Sequence, residues 1–311
     1  MKVLISGGSG LIGSALIERL LRRDDPSATP HEVLRLVRRE PRPGAGEIPW
    51  DPEAGRLDPA ALEGLDAVVH LAGENIAGRR WTQARKRRLY ESRVLGTGLL
   101  CRTLARLAKP PRILLSASAI GYYGNRGEEE LDETSPPGTG FLARLCRDWE
   151  AAAEPAAAAG TRVVLMRTGV VLARHGGALA KMLPLFRLGL GGRLGSGRQY
   201  LSWITLEDVA AAIEHLLKVD GLEGPVNLVS PQPATNRDLT AALGRALRRP
   251  ALLPVPALLL RLAMGEMAEE MLLSSARVLP RRLLAAGFSF GDPELDSAVS
   301  RLLRPLSRSP G

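Results

Sequence analysis

The chain has 311 residues, 45% of them hydrophobic and 24% charged, with a formal net charge of +9. This length supplies core for two domains, or for one large α/β unit with an appended lobe, and no apolar run reaches the ~18 residues of a membrane span. All but five of the 42 basic residues are arginine, which suits anionic ligands, but so wide a spread identifies none of them.

The opening KVLISGGSGLIGSALIERLL reads as a buried strand at Lys2–Ser6, a glycine-rich turn and a helix. Further strand-like runs fall at Val33–Val37, Ala67–Leu71, Arg112–Ser116, Arg162–Met166 and Val226–Val229. Amphipathic stretches separate them, as where Leu99, Leu100, Thr103, Leu104 and Leu107 share one helical face. From about Arg174 the text becomes glycine-rich, then a helix-like ITLEDVAAAIEHLLK precedes the last strand, and after Pro231 helices and turns follow. The tail RLLRPLSRSPG is expected to fray. Alternating strands and helices predict an α/β fold, a Rossmann-like doubly wound parallel sheet with a smaller C-terminal substrate lobe. The expected division is 1–173 for the nucleotide-binding domain, its sheet completed by 204–230, and 174–203 with 231–311 for the lobe. Cys101 and Cys146 fall in helix-like apolar patterns and read as reduced core residues. The start has no secretory layout, so the expected location is cytoplasmic.

Gly7, Gly10 and Gly13 stand in a G-x-x-G-x-x-G spacing between the first strand and the first helix. Without side chains they let the backbone turn sharply and approach a pyrophosphate, which the N–H groups of the helix start would bind. The second strand ends in VLRLVRREP, with Arg38 and Arg39 where NAD-binding chains carry an acidic residue for the ribose. Arginine there suits the extra phosphate of NADP, so NADP(H) is the expected cofactor over NAD, with two merely solvated arginines as the plainer alternative.

Together SGGSGLIG, VVHLAGEN and LLSASAIGYYG resemble the extended short-chain dehydrogenases/reductases, the NAD(P)-dependent epimerase/dehydratase family. The closer resemblance is to its atypical 39U subfamily, usually labelled epimerase family protein, through LAGENI, SASAIGYYG, WEAAA, RTGVVL, GLGGRLGSGRQYLSWI and the stretch from RPALLPVPALLLRL to LPRRLLAAGF. It spans nearly the whole chain. The resemblance implies that Gly7, Gly10, Leu11, Ile12 and Gly13 hold the pyrophosphate and that Arg38 and Arg39 hold the adenosine phosphate. It implies that Leu71, Ala72 and Gly73 line adenine and ribose, that Arg93 and Arg167 lie near the cofactor, and that Ser118 polarises a substrate oxygen.

Active extended members carry Tyr-x-x-x-Lys on the helix after the fifth strand, a pattern found nowhere in this chain. Taking Glu150 as the family's glutamate puts Leu142 and Cys146 in those positions. Tyr122, four residues past Ser118, is the candidate substitute acid or base, with Arg126 or Arg144 as its electrostatic neighbour. It stands equally to be read as part of the pocket wall. Two functions therefore stay open: an NADP-dependent oxidoreductase or epimerase-like enzyme, and a catalytically silent NADPH-binding sensor or scaffold.

The basic run Arg79–Arg93 reads as a solvated helix face rather than a nucleic-acid surface. Four scattered histidines without ligand spacing predict no metal. Glu207 and Asp208 read as a helix cap, and Gly189–Gly197, with Gln199, Tyr200 and Trp203, as either a substrate lid or a connector. The expected partner is a small molecule such as a sugar nucleotide, with no nucleic acid, no membrane, and a homodimer as in many extended relatives.

Overall fold

In β1 (Lys2–Ser6) Val3 and Ile5 face one side and Leu4 the other, and in β5 (Ala67–His70) Ala67 and Val69 oppose Val68 in the same way, all of them fully buried. Strands apolar on both faces need a sheet that is covered on both. The computed structural model, which describes residues 1–22, 31–78 and 80–304, sets them at the centre of an eight-stranded sheet. Its order is β12 (Gly224–Leu228), β8 (Arg162–Thr168), β6 (Ile113–Ala119), β5, β1, β2 (Glu32–Val37), β3 (Glu47–Asp51) and β4 (Arg56–Leu57). Only the β3–β4 pair is antiparallel.

Helices α1 (Leu11–Leu21) and α6 (Leu206–Lys218) bury Leu16, Leu20, Ile213 and Leu217 against one face. On the other face α2 (Gln83–Leu104) and α4 (Glu154–Ala158) bring Leu100, Leu104 and Ala156 onto Leu4, Val68 and Leu114. Helix α3 (Phe141–Ala151) lies between α2 and the end of β6. The chain runs outward from β1 to β4 and then returns through β5 to β12 on the other side, so strand order reverses between β1 and β5. Open parallel sheets bind ligands at the carboxyl ends of the strands flanking such a reversal.

Short strand pairs join the sheet to the remaining chain: β7 (Glu130–Leu131) with β14 (Arg277–Val278), β9 (Val170–Leu172) with β11 (Trp203–Thr205), and β10 (Tyr200–Leu201) with β13 (Ala234–Thr235). Helices α5 (Gly177–Arg187) and α7 (Asn236–Leu247) share a third core with Trp203. Helix α8 (Ala257–Met264) follows a proline-rich segment, and a further helix, Leu295–Leu303, takes in the start of the supposed tail. Residues 305–311, where fraying is expected, lie outside the described residues.

Two readings of the sequence change. The strand β3 escapes a search for β-branched runs because EIPWD buries only its alternate residues, Ile48 and Trp50, and because Pro49 is tolerated near a sheet edge. Trp203 is core rather than a lid aromatic: it is fully buried, and its Nε1 donates to the Gln232 carbonyl at 3.1 Å. Gln199 is also buried, donating to the carbonyls of Leu194 and Leu272. Trp203→Ala is accordingly expected to cost roughly 3–5 kcal/mol of stability in urea unfolding, whereas a solvent-facing lid residue would cost only about 0.5 kcal/mol.

Candidate functional site

The glycine turn between β1 and α1 presses against the segment leaving β5. Gly7 has φ +71°, and a Cβ there would lie 2.7 Å from the Leu71 carbonyl carbon and oxygen. A Cβ on Gly13 would meet the Gly7 carbonyl oxygen at 2.3 Å. Both positions therefore need glycine, one for its backbone angle and both for space. The Gly10 N–H closes the turn onto the Gly7 carbonyl at 2.9 Å, and no side chain caps α1. The N–H groups of the first helical turn, around Leu11, Ile12 and Gly13, are thus left for an anion. This bare backbone cradle at the strand-order reversal fits a dinucleotide pyrophosphate.

A buried polar chain holds the adjoining wall of Leu71, Ala72 and Gly73. The Ser6 hydroxyl oxygen accepts from the N–H groups of Leu71 and Ala72 at 3.1 and 3.2 Å and lies 2.6 Å from His70 Nδ1. His70 Nε2 is 3.0 Å from the Thr97 hydroxyl, which also accepts from Trp149 Nε1 at 2.9 Å. Burial pushes the imidazole down to about 4 and keeps it neutral. Since Ser6 already accepts twice, its proton goes to Nδ1, and Nε2–H donates to Thr97. Arg93 backs the same wall: a Cβ on Gly73 would meet its guanidinium carbon at 3.3 Å, and it donates to the carbonyls of Leu89 and Glu74. Its guanidinium also sits 5.2 Å over the Trp149 ring, and burial lowers its pKa.

Arg38 and Arg39 follow β2 directly and are exposed. Arg39 is not free: it donates to Glu47 at 2.6 Å, where Arg42 at 2.9 Å and Arg35 at 3.2 Å also converge. The Arg39 hydrogen bond, followed by that of Arg42, holds the Glu47 carboxyl far below the usual carboxylate range. The stem of Arg35 lies beside Gly8 of the phosphate loop, 3.6 Å from where a Cβ would stand. Sequence reading missed both Arg35 and Glu47. The first lies mid-strand, and the second belongs to a strand that only the fold places beside β2.

At the end of β6 the Ser118 hydroxyl donates to Glu150 Oε1 at 2.6 Å. Glu150 also receives a two-pronged contact from Arg167, both prongs at 2.8 Å. Arg167 is therefore buried behind the site rather than presented at its mouth. It stacks 3.4 Å over the Tyr122 ring and donates to the Tyr123 hydroxyl at 3.1 Å, which in turn donates to Asn227 at 2.8 Å. Burial pushes Tyr123 up to about 12, so it stays protonated. Tyr122 is half-buried, and its hydroxyl has no hydrogen-bond partner among the described residues. The cation beside it is Arg167 and not, as the sequence suggested, Arg126 or Arg144; Arg126 pairs with Glu129, and Arg144 is exposed.

Leu142 and Cys146 face the same turn, since a Cβ on Gly121 would lie 3.1 Å from the first and 3.7 Å from the sulfur of the second. The Cys146 thiol is pushed up to about 12 by burial and offers no reactive thiolate. Glu270, distant in sequence, caps α3 by accepting from the N–H groups of Phe141 and Leu142 at 2.6 and 2.7 Å. Among the described residues no group of His, Cys, Asp and Glu gathers to hold a metal.

Several residues of the other charged motifs form contacts within the fold. Within the basic run, Arg85 is buried against Glu74, Lys86 pairs with Glu266 and Arg87 with Glu91, while Arg79 lies outside the described residues. Thr205 caps α6, Asp208 accepts from the N–H groups of Gly291 and Asp292, and Glu207 pairs with Arg301.

Residues 3–228 match the model of the NAD dependent epimerase/dehydratase family, and residues 255–302 match a domain of unknown function. An epimerase family protein of Mycobacterium bovis is 50% identical over 297 residues, 96% of either chain. Human epimerase family protein SDR39U1 is 39% identical over 306 residues, 97% of this chain and all of the relative. The crystal structure of human SDR39U1 with NADPH superposes with a TM-score of 0.86 at 37% identity, over 98% of this chain and 100% of the human one. A nucleoside-diphosphate sugar epimerase from Corynebacterium glutamicum superposes at 0.80 with 36% identity, over 97% of this chain and 58% of its own.

Two outcomes follow from this geometry. Gly13→Ala is expected to weaken nicotinamide dinucleotide binding at least about tenfold in a fluorescence titration, because the loop must shift about an ångström to admit the methyl group. The folded pKa of His70 lies near 4, below the ordinary 6.5. The unfolded chain thus binds more protons between those values, and up to about 3 kcal/mol of stability present above pH 6.5 is lost on approach to pH 4. Urea unfolding across that window should show a flatter dependence in His70→Asn.

Proposed function

Because the chain belongs to the NAD dependent epimerase/dehydratase family, we propose that it binds NADPH across the carboxyl ends of β1, β5 and β6 and acts on a small carbonyl or hydroxyl compound, such as a sugar nucleotide. The observation that carries this reading is the glycine cradle: an uncapped helix start, with no room for side chains at Gly7 or Gly13, facing the Leu71–Gly73 wall. Arg39, with Arg35, Arg38 and Arg42 around it, would hold the adenosine phosphate, exchanging part of its contact with Glu47 for the ligand. That the human relative SDR39U1 was crystallised with NADPH supports this choice of cofactor. The lobe of 174–203 and 231–311 would close the substrate side.

When bound, the cofactor supplies or accepts the hydride. The protein's part is to bind, orient and move a proton. Tyr122 is the group proposed for that proton, because its hydroxyl is unpartnered among the described residues while its ring is clamped under Arg167. Ser118 has its own proton committed to Glu150, leaving its lone pairs to accept from a substrate hydroxyl and so orient it. Leu142 and Cys146 contribute shape to the pocket and no proton chemistry.

A second reading, an NADPH-binding sensor or scaffold, is favoured by that same pair of inert side chains where the family carries tyrosine and lysine. Purified protein screened with NADPH against pooled carbonyls and nucleotide sugars separates the two. Turnover that falls about 100-fold or more in Tyr122→Phe with NADPH affinity unchanged supports the enzyme, and tight binding with no turnover supports the sensor. Arg39→Ala is expected to lower the preference for NADPH over NADH by roughly tenfold, as read from the two dissociation constants.

A further inference from the structure

The C-terminal lobe carries an apolar surface that no described residue covers. The segment after α5 packs alongside the one entering α8: Leu194 bridges to Val255, and the Gly195 and Val255 N–H groups donate to the carbonyls of Val255 and Arg193 at 2.9 Å. A Cβ on Gly192 would strike the Leu253 backbone, so the two segments run in direct contact. Leu188, Leu190, Leu252, Leu258, Leu259 and Leu262 are each more than half exposed there, Leu252 by 82%. On α8, Leu258, Leu259 and Leu262 follow helical spacing along a single outer face. An exposed leucine alone means little, but six on adjoining segments form a patch of the kind that marks an interaction site.

Charge selects the occupant. Residues 185–193 and 248–262 contain no aspartate or glutamate. Arg187, Arg193, Arg248 and Arg249 are exposed beside the leucines, and none of them forms an ion pair among the described residues. A second copy docked face to face would bring these four cations together, while Glu269, a carboxylate beside α8, is already paired with Arg261. An anionic bilayer answers both features, taking leucines into its interface and arginines at its headgroups.

We propose that this leucine and arginine face adsorbs to anionic lipid membranes, holding the protein peripherally. No helix among the described residues is long and apolar enough to cross a membrane, so the contact is with the surface.

The test is co-sedimentation of the full chain with phosphatidylcholine vesicles, with and without phosphatidylglycerol, at low and high salt. Pelleting is expected with phosphatidylglycerol only, and less of it at high salt. Leu258→Glu with Leu262→Glu should abolish it, and Arg248→Gln with Arg249→Gln should weaken it roughly tenfold or more, with thermal midpoints confirming that both double variants fold. No pelleting, equal pelleting on neutral vesicles, or pelleting that both variants leave intact overturns the proposal. So does a dimer in analytical ultracentrifugation that Leu258→Glu disperses, which assigns the face to a second copy of the chain.

Discussion

The structure depends on one close approach. The backbone at Gly7 lies against the Leu71 carbonyl and the Ala72 N–H, and α1 begins so near that Gly13 faces the Gly7 carbonyl with no room for a methyl group. That contact sets the end of β1, the start of α1 and the segment leaving β5 in one rigid arrangement at the strand-order reversal. The proposed anion site would be a consequence of it: the N–H groups at the start of α1 have no side-chain cap.

Buried polar networks hold the rest of the site to this cradle. Ser6, His70, Thr97 and Trp149 link β1 to β5, α2 and α3 through hydrogen bonds that water does not reach. Around Glu150, Arg167 joins Ser118, Tyr122, Tyr123 and Asn227 across β6, β8 and β12. Such networks lose far more when half-broken than they add when intact, so they specify one geometry. Leu142 and Cys146 pack against the turn at Gly121, while a guanidinium beneath Tyr122 occupies the centre of the polar cluster.

The arginine bias of the chain resolves into distinct local uses. Around Glu47 three guanidiniums converge on one carboxylate. Along α2, Arg87 pairs with a neighbouring acid and Arg85 is buried against Glu74. On the C-terminal lobe, Arg187, Arg193, Arg248 and Arg249 stand exposed beside apolar side chains, without ion pairs among the described residues. Composition alone could not separate these roles, because each depends on what the fold brings within a few ångströms.

Sequence alone determined the alternating architecture, the glycine-rich turn and the absence of a Tyr-x-x-x-Lys pattern. These are local properties: continuous apolar runs demand two-sided burial, and glycines at Gly7, Gly10 and Gly13 lie within one strand-turn-helix unit. Tertiary structure decided what meets across long stretches of chain. It placed Glu47 among arginines from β2 and the segment after it, Arg167 beneath Tyr122, Glu270 at the start of α3 and Trp203 in a core. No periodicity or spacing encodes such pairings, since a side chain's partner depends on sheet order and helix packing, which the whole chain settles together.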